Sequence, residues 1–204
     1  MVEWIICLSI KKIVNKMNHY YEQIHGWFTF SELYGKMVNK FPNGSHFVEV
    51  GSWMGKSAVY MGVEIVNSNK KIKFDCVDNW EFVDNVYNSD GNISKLKVSA
   101  FQEFLKNIMP LSNVINYHKL NSLEASKLYD DESVDSVFLD ASHEYENVKN
   151  DLIYWYPKIK YGGVIAGHDY CKEWNGVILA VNEFFNNKNF EILKSEGSWI
   201  YYKI

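Results

Sequence analysis

Residues 46–66 read "HFVEVGSWMGKSAVYMGVEIV". The first five, "HFVEV", form an apolar run of strand length interrupted by one acid, Glu49. After Gly55 the apolar residues follow a helical period, with Ala58, Met61 and Ile65 on one face. Between them lies a turn with glycine at 51 and 55 and the hydroxyl residues Ser52 and Ser57 beside it. Strand, bare turn and helix in this order make the first half of a βαβ unit.

Working outward, the alternation continues. Strand patterns at 71–78, 113–120, 134–141 and 162–168 are each followed by a helical pattern, at 93–109, 122–129, 145–156 and 175–185. Another helix is expected over 28–41, with Ser31 as its N-cap and "PNG" at 42–44 as its stop. Parallel neighbours need crossovers, so five consecutive strand–helix units imply a mostly parallel sheet with helices on both faces. The last two strands, 190–195 and 199–204, are separated by "EGS" and read as an antiparallel hairpin. The expected fold is therefore α/β, a doubly wound, Rossmann-like, mostly parallel seven-stranded sheet with a C-terminal antiparallel hairpin. Gly162 and Gly163 read as the turn into the fifth strand, Asp75 and Asp135 as solvated strand-edge acids, and "YWY" at 154–156 as packing.

With 204 residues, 47% of them apolar and 16% aromatic, the chain can build one core. The expected organisation is an N-terminal helical cap segment, 1–45, on a ligand-binding α/β domain, 46–204, the two forming one compact unit. All 21 basic residues are lysine and the net charge is -4, so no nucleic-acid partner is expected. The stretch 1–17 is apolar but too short to span a bilayer and lacks the flanks of a secretory leader; it reads as a helix packed on the domain, with Met17 as an alternative start. Three widely spaced cysteines form neither a disulfide framework nor a zinc pattern, which suits a reducing, cytoplasmic setting. No membrane partner is expected, and a homodimer is compatible with the sequence.

In doubly wound sheets ligands sit at the carboxyl ends of the strands, and the first strand–helix turn is the usual place. A phosphate loop would need one more residue before the lysine than "GSWMGKS" has, and a dinucleotide loop would need glycine where Trp53 stands. An acid and an indole suit a cationic ligand without phosphates. The stretch "VEVGSWMGKS" resembles the first motif of class I S-adenosylmethionine-dependent methyltransferases, and "CVDNW" (76–80) their second. The longer stretch 134–170, "VDSVFLDASHEYENVKNDLIYWYPKIKYGGVIAGHDY", is similar to the small single-domain branch grouped as methyltransferase family 24, related to sugar O-methyltransferases and to the cephalosporin-hydroxylase group.

That resemblance implies S-adenosylmethionine as cofactor. It assigns Glu49, Gly51, Ser52, Gly55 and Ser57 to the methionine end, Asp78, Asn79 and Trp80 to the adenosine, and Asn121 and Ser122 to the adenine, with Asp140 closing the pocket. It also implies a divalent metal, magnesium or manganese, on Asp140, His168 and Asp169, where related sugar enzymes carry three acids. An imidazole in that set is a poor magnesium ligand and favours manganese, zinc or no metal at all. The expected activity is methyl transfer to a small-molecule acceptor, at a hydroxyl of sugar or phenolic type. His143 is expected to be the general base, since imidazole titrates near neutral pH, and Asp140 is its catalytic companion. Ser142 stands where related enzymes have an acid. The acceptor cap is expected from the segment before Phe41 and from residues 81–92. Two rivals stand beside this reading: a catalytically inactive cofactor-binding partner protein, and a nicotinamide-dependent oxidoreductase on the same sheet.

Overall fold

The computed structural model describes residues 16–81, 85–87, 93–95, 99–186 and 188–204. The helix expected over 1–17 and much of the 81–92 cap lie outside them. The described helices are α1 (Ser31–Lys40), α2 (Lys56–Ser68), α3 (Ala100–Ile108), α4 (Ser122–Ser126), α5 (Tyr145–Trp155) and α6 (Asn175–Phe184). The strands are β1 (His46–Val50), β2 (Lys73–Asp78), β3 (Asn85–Tyr87), β4 (Ile93–Lys95), β5 (Ile115–Lys119), β6 (Val134–Leu139), β7 (Ile159–Gly167), β8 (Glu191–Leu193) and β9 (Ser198–Tyr202).

Seven strands form one sheet in the order β5-β2-β1-β6-β7-β9-β8. The first five are parallel, and β9 runs antiparallel to both β7 and β8. The strand order reverses between β1 and β6, so a crevice opens beyond their carboxyl ends. Alternate strand residues feed two cores. Phe47 and Phe74 pack with Leu33, Met61 and Phe104 from α1, α2 and α3. Val48, Val50 and Val77 pack with Ala125, Leu152 and Val181 from α4, α5 and α6. Large side chains with no exposure, such as Trp155 and Phe104, each contribute roughly 1.5–3 kcal/mol by burial.

Four readings are corrected. Residues 93–95 pair with β3 in a separate two-stranded ribbon, and the helix begins only at Ala100, after Ser99 in extended conformation. The apolar stripe Ala100, Phe104, Ile108 is what sets the helical period there, and it extended the expected helix too far. Ser31 opens α1 instead of capping it; the amides of Leu33 and Glu32 face the carboxylate of Glu196. Strand β7 starts three residues early, and Gly162, at φ +77°, lies at an irregularity within it.

The fourth correction concerns Asp75, which is fully buried and gathers bonds from His46 Nε2 (2.7 Å), Tyr129 Oη (3.0 Å), Asn116 Nδ2 (3.2 Å) and Lys73 Nζ (3.1 Å). Burial opposes its charge, but these donors outweigh it and hold the carboxyl well below the usual range. Asp135 likewise accepts from the His46 amide and from Lys160 Nζ, both at 2.8 Å. Together these residues brace the sheet at the end opposite the crevice.

Candidate functional site

The loop after β1 is bare for a steric reason. Gly51 has φ +95°, and a Cβ built there would lie 2.1 Å from the Asp140 carbonyl oxygen. The glycine is set by the approach of the β1 and β6 ends. Gly55, at φ +82°, stands at the N-cap of α2 and offers no side chain to the helix's first amides. An uncapped N-terminus of a 13-residue helix, with its amides and positive dipole end, suits a ligand carboxylate.

Beside this loop lies Glu49, fully buried. Its Oε2 accepts from the Tyr34 hydroxyl at 2.6 Å, while Oε1 and the neighbouring Ser52 Oγ have no partner within bonding geometry among the described residues. Burial pushes its carboxyl up to about 7, against the pull of Tyr34. A buried carboxylate oxygen without a donor costs free energy unless a ligand cation meets it. Ser57, also buried, is the second residue of α2.

At the end of β2, Asp78 works on its own loops. Oδ2 accepts from the Trp53 amide (2.8 Å) and Oδ1 from the Trp80 amide (2.7 Å). Both tryptophans have positive φ, at 40° and 50°, so the carboxylate holds two residues in a conformation that costs of order 1–3 kcal/mol each. Trp80 is only 8% exposed, packs on Phe101 and Phe104, and donates Nε1 to the Trp53 carbonyl at 2.6 Å. The structure thus places the Trp80 ring in the core. Asn79 Oδ1 caps its own turn at Glu81.

Beyond β5, Asn121 caps α4 through the Glu124 amide at 2.9 Å. Ser122 Oγ accepts from Trp155 Nε1 at 2.8 Å and also meets Asp151, whose carboxyl burial pushes up to about 6. Beyond β6, Ser142 braces the turn ahead of α5, accepting from the Glu144 amide (3.3 Å) and from Asn147 Nδ2 (3.0 Å).

The ends of β6 and β7 bring together Asp140, His143, His168 and Asp169. His143 Nε2 lies 2.7 Å from Asp169 Oδ2, and its ring stacks on Trp174 at 3.9 Å between centroids. His168 Nδ1 lies 3.2 Å from Asp169 Oδ1 and 3.5 Å from Asp140 Oδ1. One ligand atom from each of Asp140, His168 and Asp169 falls within 4.8 Å of the others, which fits a small divalent ion. Burial works against charge on His168, but the two carboxylates prevail and push it up to about 10. Burial raises Asp140, whereas His143 and His168 overcome it at Asp169 and hold that group low. Asp169 has φ +59°, a third strained residue at a strand end.

The segment before α1 closes over this mouth. Lys56 Nζ donates to the Gly26 carbonyl (2.9 Å), Trp27 stacks on Trp53 while 72% exposed, and Thr29 reaches His168. Tyr34, Thr29 and Trp174 are contributors that sequence reasoning missed. Tyr34 is buried on a helix within the segment expected as acceptor cap, where nothing in the sequence links it to Glu49, and nothing in linear spacing links residue 29 to residue 168.

A family model described as a methyltransferase domain, of the family-24 type, matches residues 48–170, more than half of the chain. The chain belongs to this methyltransferase family. It is a class I, S-adenosylmethionine-dependent methyltransferase, which displaces the oxidoreductase rival. No curated protein matches it. Among solved structures, the O-methyltransferase NovP is 18% identical, with a TM-score of 0.61 over 86% of this chain and 79% of its own. A Staphylococcus aureus protein provisionally named a caffeoyl-CoA O-methyltransferase is 12% identical, with a TM-score of 0.59 over 88% and 85%. A Corynebacterium glutamicum protein, also 12% identical, gives 0.60 over 88% and 82%. At these identities the likeness is one of fold. No helix among the described residues of this methyltransferase is long and apolar enough to cross a membrane.

Proposed function

We propose that this methyltransferase methylates a hydroxyl oxygen of a small molecule of sugar or phenolic type, with His143 as general base. The observation that carries the reading is the His143–Asp169 pair at 2.7 Å beside Asp140. The carboxylate accepts a hydrogen bond from Nε2–H and the Trp174 face fixes the ring, leaving Nδ1 as the basic nitrogen for an acceptor hydroxyl.

S-adenosylmethionine, when bound, supplies an electrophilic methyl group on a sulfonium. The residues present fit it. The unpartnered Oε1 of Glu49 and Oγ of Ser52 would meet its cationic end, and the uncapped start of α2 its carboxylate. Asp78 retains lone pairs for ribose hydroxyls beyond the two amides it holds. Asn121 and Ser122 stand at the adenine side. A divalent ion on Asp140, His168 and Asp169 would supply a Lewis acid that lowers the pKa of the acceptor hydroxyl. The chain's own part is alignment and the removal of one proton to His143 Nδ1.

The test is calorimetric titration with S-adenosylmethionine and its demethylated product, followed by a labelled-methyl screen of sugars, phenols and amines, with and without chelator. Micromolar binding and label on a hydroxyl are expected. Label only on nitrogen acceptors would overturn the oxygen assignment.

A further inference from the structure

The ring of His168 is held from both sides, and its two nitrogens face opposite partners. Nε2 lies 2.9 Å from Thr29 Oγ1. The same hydroxyl donates to the Glu196 carbonyl at 2.8 Å. A threonine hydroxyl has one proton and a carbonyl oxygen can only accept, so that proton is committed to Glu196. What Oγ1 has left for His168 is a lone pair, and Nε2 must therefore be the donor. On the other side Nδ1 points between Asp169 Oδ1 (3.2 Å) and Asp140 Oδ1 (3.5 Å). A flipped ring would set carbon atoms against Thr29 and against both acids, forfeiting every one of these contacts.

We propose that Thr29 is a positioning residue for His168, accepting from Nε2–H and so fixing the ring with Nδ1 directed at Asp140 and Asp169. The outer partner of a site imidazole commonly sets its tautomer and orientation. Here the outer partner comes from the segment before α1, and it is itself fixed by the turn of the C-terminal hairpin. That turn is firm: the Glu196 amide donates to the Leu193 carbonyl (3.0 Å) and the Tyr170 amide to the Gly197 carbonyl (2.8 Å). Phe30, the next residue after Thr29, is fully buried and packs its ring 4.8 Å from that of His168. A Cβ at Gly197 would stand 3.7 Å from Nε2, so the hairpin turn borders this nitrogen directly. The consequence is that the N-terminal segment and the hairpin jointly decide which nitrogen of His168 reaches the acids. The assignment does not depend on the methyl-transfer reading, because it concerns a ring proton observable without turnover.

The experiment is nitrogen-15 NMR of the full chain with labelled histidine, comparing wild type with Thr29→Val and Thr29→Ser. The expected result is a slowly exchanging Nε2 proton on His168 in wild type and in Thr29→Ser, with its exchange at least about tenfold faster in Thr29→Val. Protection retained in Thr29→Val, or an unprotonated Nε2 in wild type, would overturn the proposal. Thermal unfolding by circular dichroism is followed alongside and should stay cooperative in Thr29→Val. Collapse of both signals together would make Thr29 a residue of fold integrity and equally overturn it. Thr29→Ser keeps the hydroxyl, so failure of that variant to show the protected proton counts against the proposal even if the valine variant does not fold.

Discussion

Replacing Glu49 by glutamine should make the cofactor-free protein more stable above neutral pH while weakening its hold on S-adenosylmethionine. Burial raises the Glu49 carboxyl to about 7 in the folded chain, against an ordinary value of about 4.3. Between those values the unfolded chain releases the proton and the folded chain keeps it. Stability therefore falls as pH rises through that window and is flat above it. A gap of roughly 2.7 pH units, at about 1.4 kcal/mol each, amounts to about 4 kcal/mol. In Glu49→Gln the amide keeps an acceptor for Tyr34 but never ionises, so the fall should vanish. The variant should gain about 2–4 kcal/mol on wild type as pH rises from about 4.5 to 8, or roughly 5–15 °C in Tm for a chain of this size. Its cofactor affinity at pH 8 should drop by about 10- to 100-fold, since a charge-assisted contact is lost. The assays are urea and thermal unfolding without cofactor across that pH range, with titration of S-adenosylmethionine at each point. Unfolding profiles that run parallel for the two proteins would refute the reasoning.

Three further outcomes are expected. His143→Ala should cut turnover by about 10²- to 10⁴-fold with cofactor affinity unchanged, measured by labelled-methyl transfer; full activity would remove His143 as base. Gly51→Ala should fail to fold, since its Cβ would stand 2.1 Å from the Asp140 carbonyl oxygen; a soluble variant with native circular dichroism would contradict that packing. Asp75→Ala should cost about 3–5 kcal/mol at pH 7, because His46, Tyr129 and Lys73 lose a common partner. The folded carboxyl lies below its unfolded value, so this loss should shrink as pH falls below about 4, as urea unfolding at several pH values will show.

Most of the sheet was legible because its strands and helices carry opposite periodicities, and because "EGS" can only join neighbouring strands. The two glycines and the acids at strand ends announced the crevice in the same way. What was illegible is long-range. Asp75 looks like any strand-edge acid until β5 and the 129 turn bring Asn116 and Tyr129 to it. For Trp80 the sequence left core and adenosine open alike, since the turn of its ring into the core depends on a positive φ held by Asp78. Gly51 reads in the sequence as room for a ligand, but its neighbour is the backbone of another strand end. Thr29 and Tyr34 carry no motif, and their roles exist only once the segment ahead of β1 folds back across the mouth.

The bond between Thr29 and Glu196 spans 167 positions of sequence. Contacts that distant form late, because loop-closure entropy must be met before they stabilise anything. On the ribosome, a nascent chain that has not yet exposed β8 and β9 can assemble the parallel strands and the glycine loop but not the Thr29–Glu196 contact. Such a chain would hold the proposed cofactor cradle with an open rim. Ligand-induced protection of the emerging chain would then begin at the first two strand ends and reach residues 26–34 only after the hairpin has joined the sheet.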